Sequence, residues 1–377
     1  MNQGGANRPR IHVARVANEP VVPLAIAAMG GVGVTDATQP RNRVLHDLVQ
    51  RLRTEFDFVP DACDSDVIIC GHDASTHPKA CLQVTEVARS HGIPTFVYSE
   101  ADDVRPTDSR LGIVYRSSAI GRLLKPHERI ATGCVPDLTE ERGQGTCEWA
   151  PTDGPPTLGF MGHVAQGIGS VRYLGRGWQH FYGFTLRERV LRAFHRTDCV
   201  SCSFTRRSTN LGPPMAGVEG DLARRAMRRE YVDSVFGNLY SLCVRGAGNW
   251  SYRFFEALSA GRIPVLIDTD CVLPLDSEID WDKHICRIPI GRIGEAGTLL
   301  AAYHSATGAA QLQARQAANR KLWLEHLAPA AFFSRALREL VVPTRTPESD
   351  TMNPRCAGSP ASSCSTDPSP TATASRR

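Results

Sequence analysis

Leu239-Tyr-Ser-Leu-Cys-Val-Arg-Gly-Ala-Gly-Asn-Trp-Ser-Tyr-Arg-Phe-Phe-Glu-Ala-Leu-Ser-Ala-Gly-Arg-Ile-Pro-Val-Leu-Ile-Asp268 is the stretch from which the fold can be read. Leu239 to Val244 is an apolar run of strand length. Gly246, Gly248 and Asn249 make a turn, Ser251 to Ala260 reads as a helix that Gly261 ends, and Ile263 to Ile267 is a second apolar run. That order, strand, turn, helix, strand, is one βαβ unit. Glycine at 246 and 248 lets the backbone approach a ligand without a Cβ clash. Asn249 or Ser251 can cap the helix, whose first N–H groups and dipole favour an anion. Arg245 and Arg253 flank the turn and can add charge-assisted, bidentate contacts to phosphate oxygens. Glu256 follows Arg253 on the same helical face and is placed to accept hydrogen bonds from ribose hydroxyls. A plain Arg253–Glu256 helix pair is the alternative. The glycine turn and the second strand running to Asp268 favour a nucleotide-diphosphate site.

Outward from this unit, 377 residues exceed one ordinary hydrophobic core, so two domains are expected. The 42% apolar and 22% charged fractions are those of a soluble globular protein. A formal charge of +4 is small for this length and argues against a dedicated nucleic-acid binder. The twelve cysteines are scattered, several inside apolar runs, as buried free thiols of a reducing compartment are. Cys199-x-x-Cys202 is the one close pair and lacks the partners of a zinc site. Met1 to Arg10 has no signal-peptide core. Val21 to Val34 is too short to span a bilayer and reads as a buried strand and turn. The expected location is therefore cytoplasmic, without a transmembrane anchor. Peripheral membrane association stays open.

Repeated strand–helix alternation fills the first half. Ile11 to Val16, Asp66 to Cys70, Ile93 to Tyr98 and Leu111 to Tyr115 read as strands, and 41–53 as an amphipathic helix. The spacing implies a parallel sheet covered on both faces. Residues 133–157, rich in Gly and Pro, read as an interdomain linker, and Thr157 to Met161 restarts as a strand. Helices are expected over 185–196, 221–237, 296–325 and 329–341, with a loop over 203–220. The fold class is thus α/β, with one domain expected over 1–150 and a second over 156–342. From Pro343 the composition is Pro, Ser, Thr and Ala, and 343–377 is expected to be a disordered tail.

Arg245-Gly-Ala-Gly-Asn-Trp-Ser-Tyr-Arg-Phe-Phe-Glu-Ala-Leu-Ser-Ala-Gly-Arg-Ile-Pro-Val265, followed by Ile267-Asp-Thr-Asp-Cys-Val-Leu-Pro-Leu275 and Ile279-Asp-Trp281, resembles the exostosin-like glycosyltransferases. Weaker likeness lies in Pro156 to Gly162, Ser99 to Asp103 and Val114 to Ser117. The resemblance implies two Rossmann-like domains facing a cleft, the architecture called GT-B, with 1–150 on the acceptor side and 156–342 binding a nucleotide-diphosphate sugar donor, and transfer of a hexosyl or pentosyl group with inversion. It also implies that Arg253 holds the diphosphate and Glu256 the ribose. Eukaryotic members of that family are usually anchored in the Golgi membrane, and no anchor is expected in this sequence.

Such a reaction asks little covalent chemistry of the protein. The leaving diphosphate gathers negative charge, which cationic side chains and a helix N-terminus stabilise. A general base removes the acceptor proton from the opposite face. Candidates at strand ends of the first domain are His72, Asp73, Glu100, Asp102 and Asp103, with Asp102 preferred; a turn- or helix-capping role is the alternative for each. Asp268-Thr-Asp270 follows the nucleotide helix and is read as part of the family pattern rather than as a metal-binding Asp-x-Asp. Asp64-Ser-Asp66 reads as a loop. No metal or other cofactor is expected. His163, Trp250 and Trp281 lie near the site, with core packing as the alternative to ligand contact. Arg224, Arg225, Arg228 and Arg229 read as a solvated helix face. Two other functions stay open: a nucleotide-sugar epimerase or hydrolase on the same architecture, and a non-catalytic binding module.

Overall fold

The computed structural model describes residues 8–21, 40–143, 146–164, 178–207 and 217–341. The tail reading over 343–377 and most of the strand-and-turn reading over Val21 to Val34 lie outside the described residues.

The first sheet is built from β1 (Arg10–Ala14), β2 (Asp57–Phe58), β3 (Val67–Asp73), β4 (Thr95–Ser99), β5 (Val114–Arg116) and β6 (Glu128–Ile130), in the order β2-β1-β3-β4-β5-β6. Every ladder in it is parallel. Buried parallel strands need apolar residues on both faces, and β3 has them. Val67 and Ile69 pack with Val44, Leu45, Leu48 and Leu52 of α1 (Pro40–Glu55). Ile68 and Cys70 pack with Cys81, Val84 and Ala88 of α2 (Pro78–Ser90) on the other side.

The second sheet comprises β7 (Thr157–His163), β8 (Ser201–Arg207), β9 (Tyr240–Cys243), β10 (Ile263–Asp268) and β11 (Cys286–Pro289), in the order β11-β10-β9-β7-β8, again all parallel. The short α3 (Leu138–Glu141) precedes this sheet. α4 (Trp178–Phe194), α5 (Gly217–Phe236), α6 (Tyr252–Ser259), α7 (Ala296–Thr307) and α8 (Ala309–Leu322) connect its strands or follow them. The chain steps from β7 outward to β8, then returns to lay β9 on the other flank of β7. The reversal between β7 and β9 is a topological switch point, where open α/β sheets bind ligands beyond their carboxyl ends. This is an α/β architecture of two parallel sheets, as strand–helix alternation in the sequence implies.

Three details differ from the sequence reading. The loop expected over 203–220 begins instead as β8. Ser201-Cys-Ser-Phe-Thr-Arg-Arg207 is polar because β8 is an edge strand, fully paired to β7 but partly exposed, so it lacks the apolar run of a central strand. The Gly- and Pro-rich stretch after 133 is tied down rather than free. Thr139 Oγ1 donates to the Ser259 carbonyl at 3.0 Å and the Ala150 N–H to Gln316 Oε1 at 2.7 Å, which fastens it to the second sheet's helices. The final helix, α9 (Pro329–Val341), returns to the first sheet, where Phe332, Phe333, Ala336 and Leu337 join the α1 face of that core. α9 thus lies within the span 156–342 in sequence but packs on the first sheet.

Candidate functional site

The βαβ unit forms as read: β9, the Gly246 turn, α6, then β10 paired to β9 from Ile263↔Tyr240 to Leu266↔Cys243. The turn's groups are used in an unexpected way. Ser251 is the N-cap residue of α6 but makes no side-chain cap hydrogen bond. Asn249 caps nothing and instead pins the turn to the first half. Its N–H donates to Ser118 Oγ at 2.9 Å, and its Nδ2 donates to the carbonyls of Ala119 at 2.8 Å and of Thr269 and Asp270 at 3.2 Å. The Gly246 N–H donates to the Trp250 carbonyl at 3.3 Å. Gly248 is required by close approach: a Cβ there would lie 2.5 Å from Asp102 Oδ1. The turn thus spends some of its amides internally and presents guanidinium groups.

Three guanidinium groups converge on the carboxyl ends of β7 and β9. Arg253 donates to the Met161 carbonyl, and to the Leu242 carbonyl at 3.5 Å, while its guanidinium lies 4.4 Å from the Phe160 ring centroid. Its Nε is buried without a hydrogen-bond partner among the described residues. Arg245 donates to the Ala247 carbonyl at 2.8 Å and to Asn249 Oδ1 at 3.1 Å, and its guanidinium lies 5.5 Å from the Tyr182 ring. Arg187 of α4, absent from the sequence reading, donates to the carbonyls of His163, Arg245 and Val244 at 3.0, 3.1 and 3.4 Å. All three are buried. Among the described residues none of the three is in an ion pair, whereas the buried Arg116 and the half-buried Arg228 each have a carboxylate. Burial, then the like charge of Arg253, brings the Arg187 guanidinium down to about 9, and Asp102 opposes that fall. Burial likewise lowers Arg245. A buried guanidinium without a carboxylate is not sufficient evidence of a ligand site. Arg262 is one too: its Nη1 donates to the Glu148 and Ala260 carbonyls and Gln316 Oε1 and its Nη2 to the Phe236 carbonyl, while its Nε, like that of Arg253, is without a partner among the described residues.

What separates Arg245 is the cavity it faces. A cleft of about 490 Å³ is lined by Val104, Ile120 and Arg122 from the first half and by Tyr182, Arg245, Thr269 and Asp270 from the second. Its size is in the range of small-molecule sites. A smaller hollow beside Trp250, Ser251 and Phe254 holds about 30 Å³, room for roughly one water. Asp270 closes the cleft's edge: its carbonyl accepts the Gly121 N–H at 2.7 Å, and its Oδ2 accepts from the Arg122 N–H at 3.2 Å and Arg122 Nη1 at 3.3 Å.

Of the acids at the first sheet's strand ends, Asp102 alone is brought against the Gly246 turn. It is exposed and accepts a hydrogen bond from Trp250 Nε1 at 3.1 Å. Asp73 is a capping group: Oδ1 accepts from the Ser75 and Thr76 N–H groups and from Ser99 Oγ, and Oδ2 from the Glu100 N–H. His72 is fully buried, held by the Val16 N–H on Nε2 and the Pro20 carbonyl on Nδ1. Asp103 is chelated by Arg105. Glu100 is half-buried.

Glu256 does not pair with Arg253. Its Oε1 accepts from Arg228 Nη1 at 2.8 Å and its Oε2 from the Tyr231 hydroxyl. Arg228 reaches on to Glu141 of α3, so this member of the expected solvated face is a half-buried strut. Burial raises the Tyr231 hydroxyl well above its ordinary range, with the Glu256 charge adding to it. Trp281 is core, packed on Phe254. His163 is buried and stacks on Phe184 at 4.5 Å. Asp268 caps the turn after β10 and pairs with Arg287 at 3.1 Å. Asp66 accepts from the Arg10 N–H at 2.8 Å. Cys199 and Cys202 are free thiols. Among the described residues, no group of three or more His, Cys, Asp or Glu is arranged to hold a metal, and no helix is long and apolar enough to cross a membrane.

No family model matches the chain. Exostosin-1 of Drosophila melanogaster is 29% identical over 113 residues, which is 30% of this chain and 15% of that protein. Two proteins of Oryza sativa subsp. japonica, each named Probable glucuronosyltransferase, are 40% identical over 53 residues, 14% of this chain and 13% and 12% of theirs. The matches thus span 15% or less of these curated relatives' length. Among solved structures, TarM aligns with a TM-score of 0.39 and 11% identity, covering 80% of this chain and 58% of that one. A glycosyltransferase from Rickettsia africae ESF-5 aligns at 0.36 and 9%, covering 90% and 100%. The spinosyn rhamnosyltransferase SpnG complexed with thymidine diphosphate aligns at 0.33 and 13%, covering 83% and 84%. Over 113 residues the chain is similar to Exostosin-1, in agreement with the resemblance read from its residues.

Proposed function

We propose that this chain is a glycosyltransferase that moves a sugar from a nucleotide-diphosphate donor to a hydroxyl of a glycan or similar acceptor, with inversion at the anomeric carbon. The observation that carries the reading is Arg245, a buried cation without a carboxylate partner among the described residues, facing a cleft of about 490 Å³ at the switch point of the second sheet, with Arg253 and Arg187 behind it. The partial likeness to Exostosin-1 and to proteins named as glucuronosyltransferases supports it.

In this reading Arg245 meets the diphosphate from the cleft wall, and Arg253 adds its charge from beneath. Both act before and during departure of the nucleotide: their buried guanidinium groups are fixed in advance by hydrogen bonds to protein acceptors, so they need little reorganisation as charge develops. Three guanidinium groups supply the positive charge that a divalent ion would otherwise bring, so the reaction is proposed to be independent of metal. Asp102, presented from the end of β4 and oriented by Trp250, takes the acceptor proton. Glu256 contacts the ribose only if Arg228 or Tyr231 yields a place on its carboxylate, so its first duty is to hold α5 on α6.

The test is a thermal-shift screen of nucleotide sugars on the purified chain, followed by product analysis with saccharide acceptors. Stabilisation by a nucleotide sugar and acceptor-dependent release of the nucleotide diphosphate are expected. Release of free sugar or of an isomerised donor without acceptor identifies a hydrolase or epimerase. Binding with no turnover identifies a binding module.

A further inference from the structure

Arg187 lies on the buried stripe of α4 with Gly183, Val190, Leu191 and Phe194, at the spacing of one helical face. A cation there is out of place by the hydrophobic pattern, yet its three donating nitrogens all reach the backbone at the site. Nη1 holds the end of β7 through His163, while Nε and Nη2 hold the carbonyls of Arg245 and Val244. One turn earlier, Gly183 brings the helix backbone down onto the same segment. A Cβ at 183 would sit 1.9 Å from the Gly246 carbonyl oxygen, and a Cβ at 246 would meet Arg187 Nη2 at 3.2 Å. Phe184, between the two, stacks on His163 at 4.5 Å and lies 5.4 Å from the Arg187 guanidinium. The face of α4 from Gly183 to Arg187 is therefore moulded onto residues 244–246.

We infer that Arg187 is a positioning residue for the anion receptor: its fork fixes the Val244 and Arg245 carbonyls and so sets the direction in which the Arg245 side chain enters the cleft. This rests on the proposed diphosphate reading of the site. Among the described residues Arg245 holds its own guanidinium through Gly246, Ala247 and Asn249 of the same turn, so a displaced backbone carries the side chain with it. A lysine at 187 keeps the charge but presents one nitrogen rather than a planar fork, and cannot hold three carbonyls in this geometry.

The experiment is a double-mutant cycle with inorganic pyrophosphate as the probe, read by calorimetry on the full chain, with near-UV circular dichroism as the check on folding. Arg187→Lys should lower pyrophosphate affinity about tenfold, and by less than about twofold when added to Arg245→Met, because the effect passes through Arg245. A merely structural role would leave affinity unchanged or lower it equally in both backgrounds, and either result overturns the inference while the site reading stands. If the parent protein itself does not bind pyrophosphate, the site reading fails and the inference with it. Should Arg187→Lys not fold, Gly183→Ala, which drives a methyl into the Gly246 carbonyl from the same helix face, is carried through the same cycle with the same criteria.

Discussion

A guanidinium taken out of water without a carboxylate costs on the order of several kcal/mol, offset only in part by neutral carbonyls. Among the described residues Arg187, Arg245 and Arg253 share this condition, and in the proposed reading an arriving diphosphate relieves it. Arg245→Ala should therefore weaken nucleotide-diphosphate binding by about 1.5–3 kcal/mol, the range of a hydrogen bond to a charged group. Competition binding against a labelled nucleotide measures this, and an unchanged affinity would remove Arg245 from the site. Asp102 is tested by kinetics. Asp102→Asn should cut kcat roughly 10²–10⁴-fold while the donor KM stays within about threefold, as loss of a general base does. An intact kcat would assign Asp102 to the turn contact with Trp250 alone. At this scale the sequence was half legible. Arg245, Arg253 and the glycines stand together in one short stretch, so a local pattern finds them. Arg187 is 58 residues away from Arg245 and belongs to no motif. Its signal was an arginine on the apolar stripe beside Val190 and Leu191, a buried position that hydrophobic patterning alone leaves unexplained. The Arg228–Glu256 pair was hidden because it joins two helices distant in sequence, and a charged helix face looks solvated until its partner is known.

Elements with strong periodicity were readable, and the exceptions have physical causes. β3, β4, β9 and β10 are central parallel strands and carry apolar runs. β8 is an edge strand and does not. β2 and β6 are two and three residues long, too short for any pattern. α9 was legible as a helix but not as a component of the first sheet, because nothing local records which core an amphipathic helix joins. Its docking is partly ionic. Glu55 of α1 accepts from Ser334 and, at 2.8 Å, from Arg338. Burial alone would raise the Glu55 carboxyl, but hydrogen bonds from Ser334, Arg338 and Arg51 outweigh it and bring it to about 2 from an ordinary 4.5. With the folded value depressed, this stabilisation is complete above about 4.5 and is lost as pH falls from about 4.5 toward about 2. Hydrogen exchange of residues 329–341 should therefore accelerate over that acid window. Glu55→Gln should show the acceleration already at neutral pH and flatten the pH dependence. A helix whose protection is indifferent to both would not be held by this cluster.

Across the whole molecule, the two sheets are joined at the site itself. Asn249 spans from the Gly246 turn to Ser118 and Ala119, and Asp270 grips Gly121 and Arg122, so the cleft wall is also the seam between the halves. Asn249→Ala removes the bonds to Ala119, Thr269 and Asp270 together. It should raise hydrogen exchange over 118–122 and weaken nucleotide-diphosphate binding, since the seam and the receptor share the turn; protection unchanged over 118–122 would separate them. The two-sheet architecture was legible from strand–helix alternation and from one βαβ unit. The seam was not, because it is made by residues from opposite halves whose pairing no local pattern encodes. The most direct test of the central claim is calorimetric titration of the purified chain with uridine, guanosine and thymidine diphosphates and with the matching monophosphates. The account predicts that at least one diphosphate binds, about tenfold or more tighter than its monophosphate, and that Arg245→Ala abolishes most of that difference. Equal affinity for mono- and diphosphates, or no binding of any of them, would contradict a diphosphate receptor at the Gly246 turn.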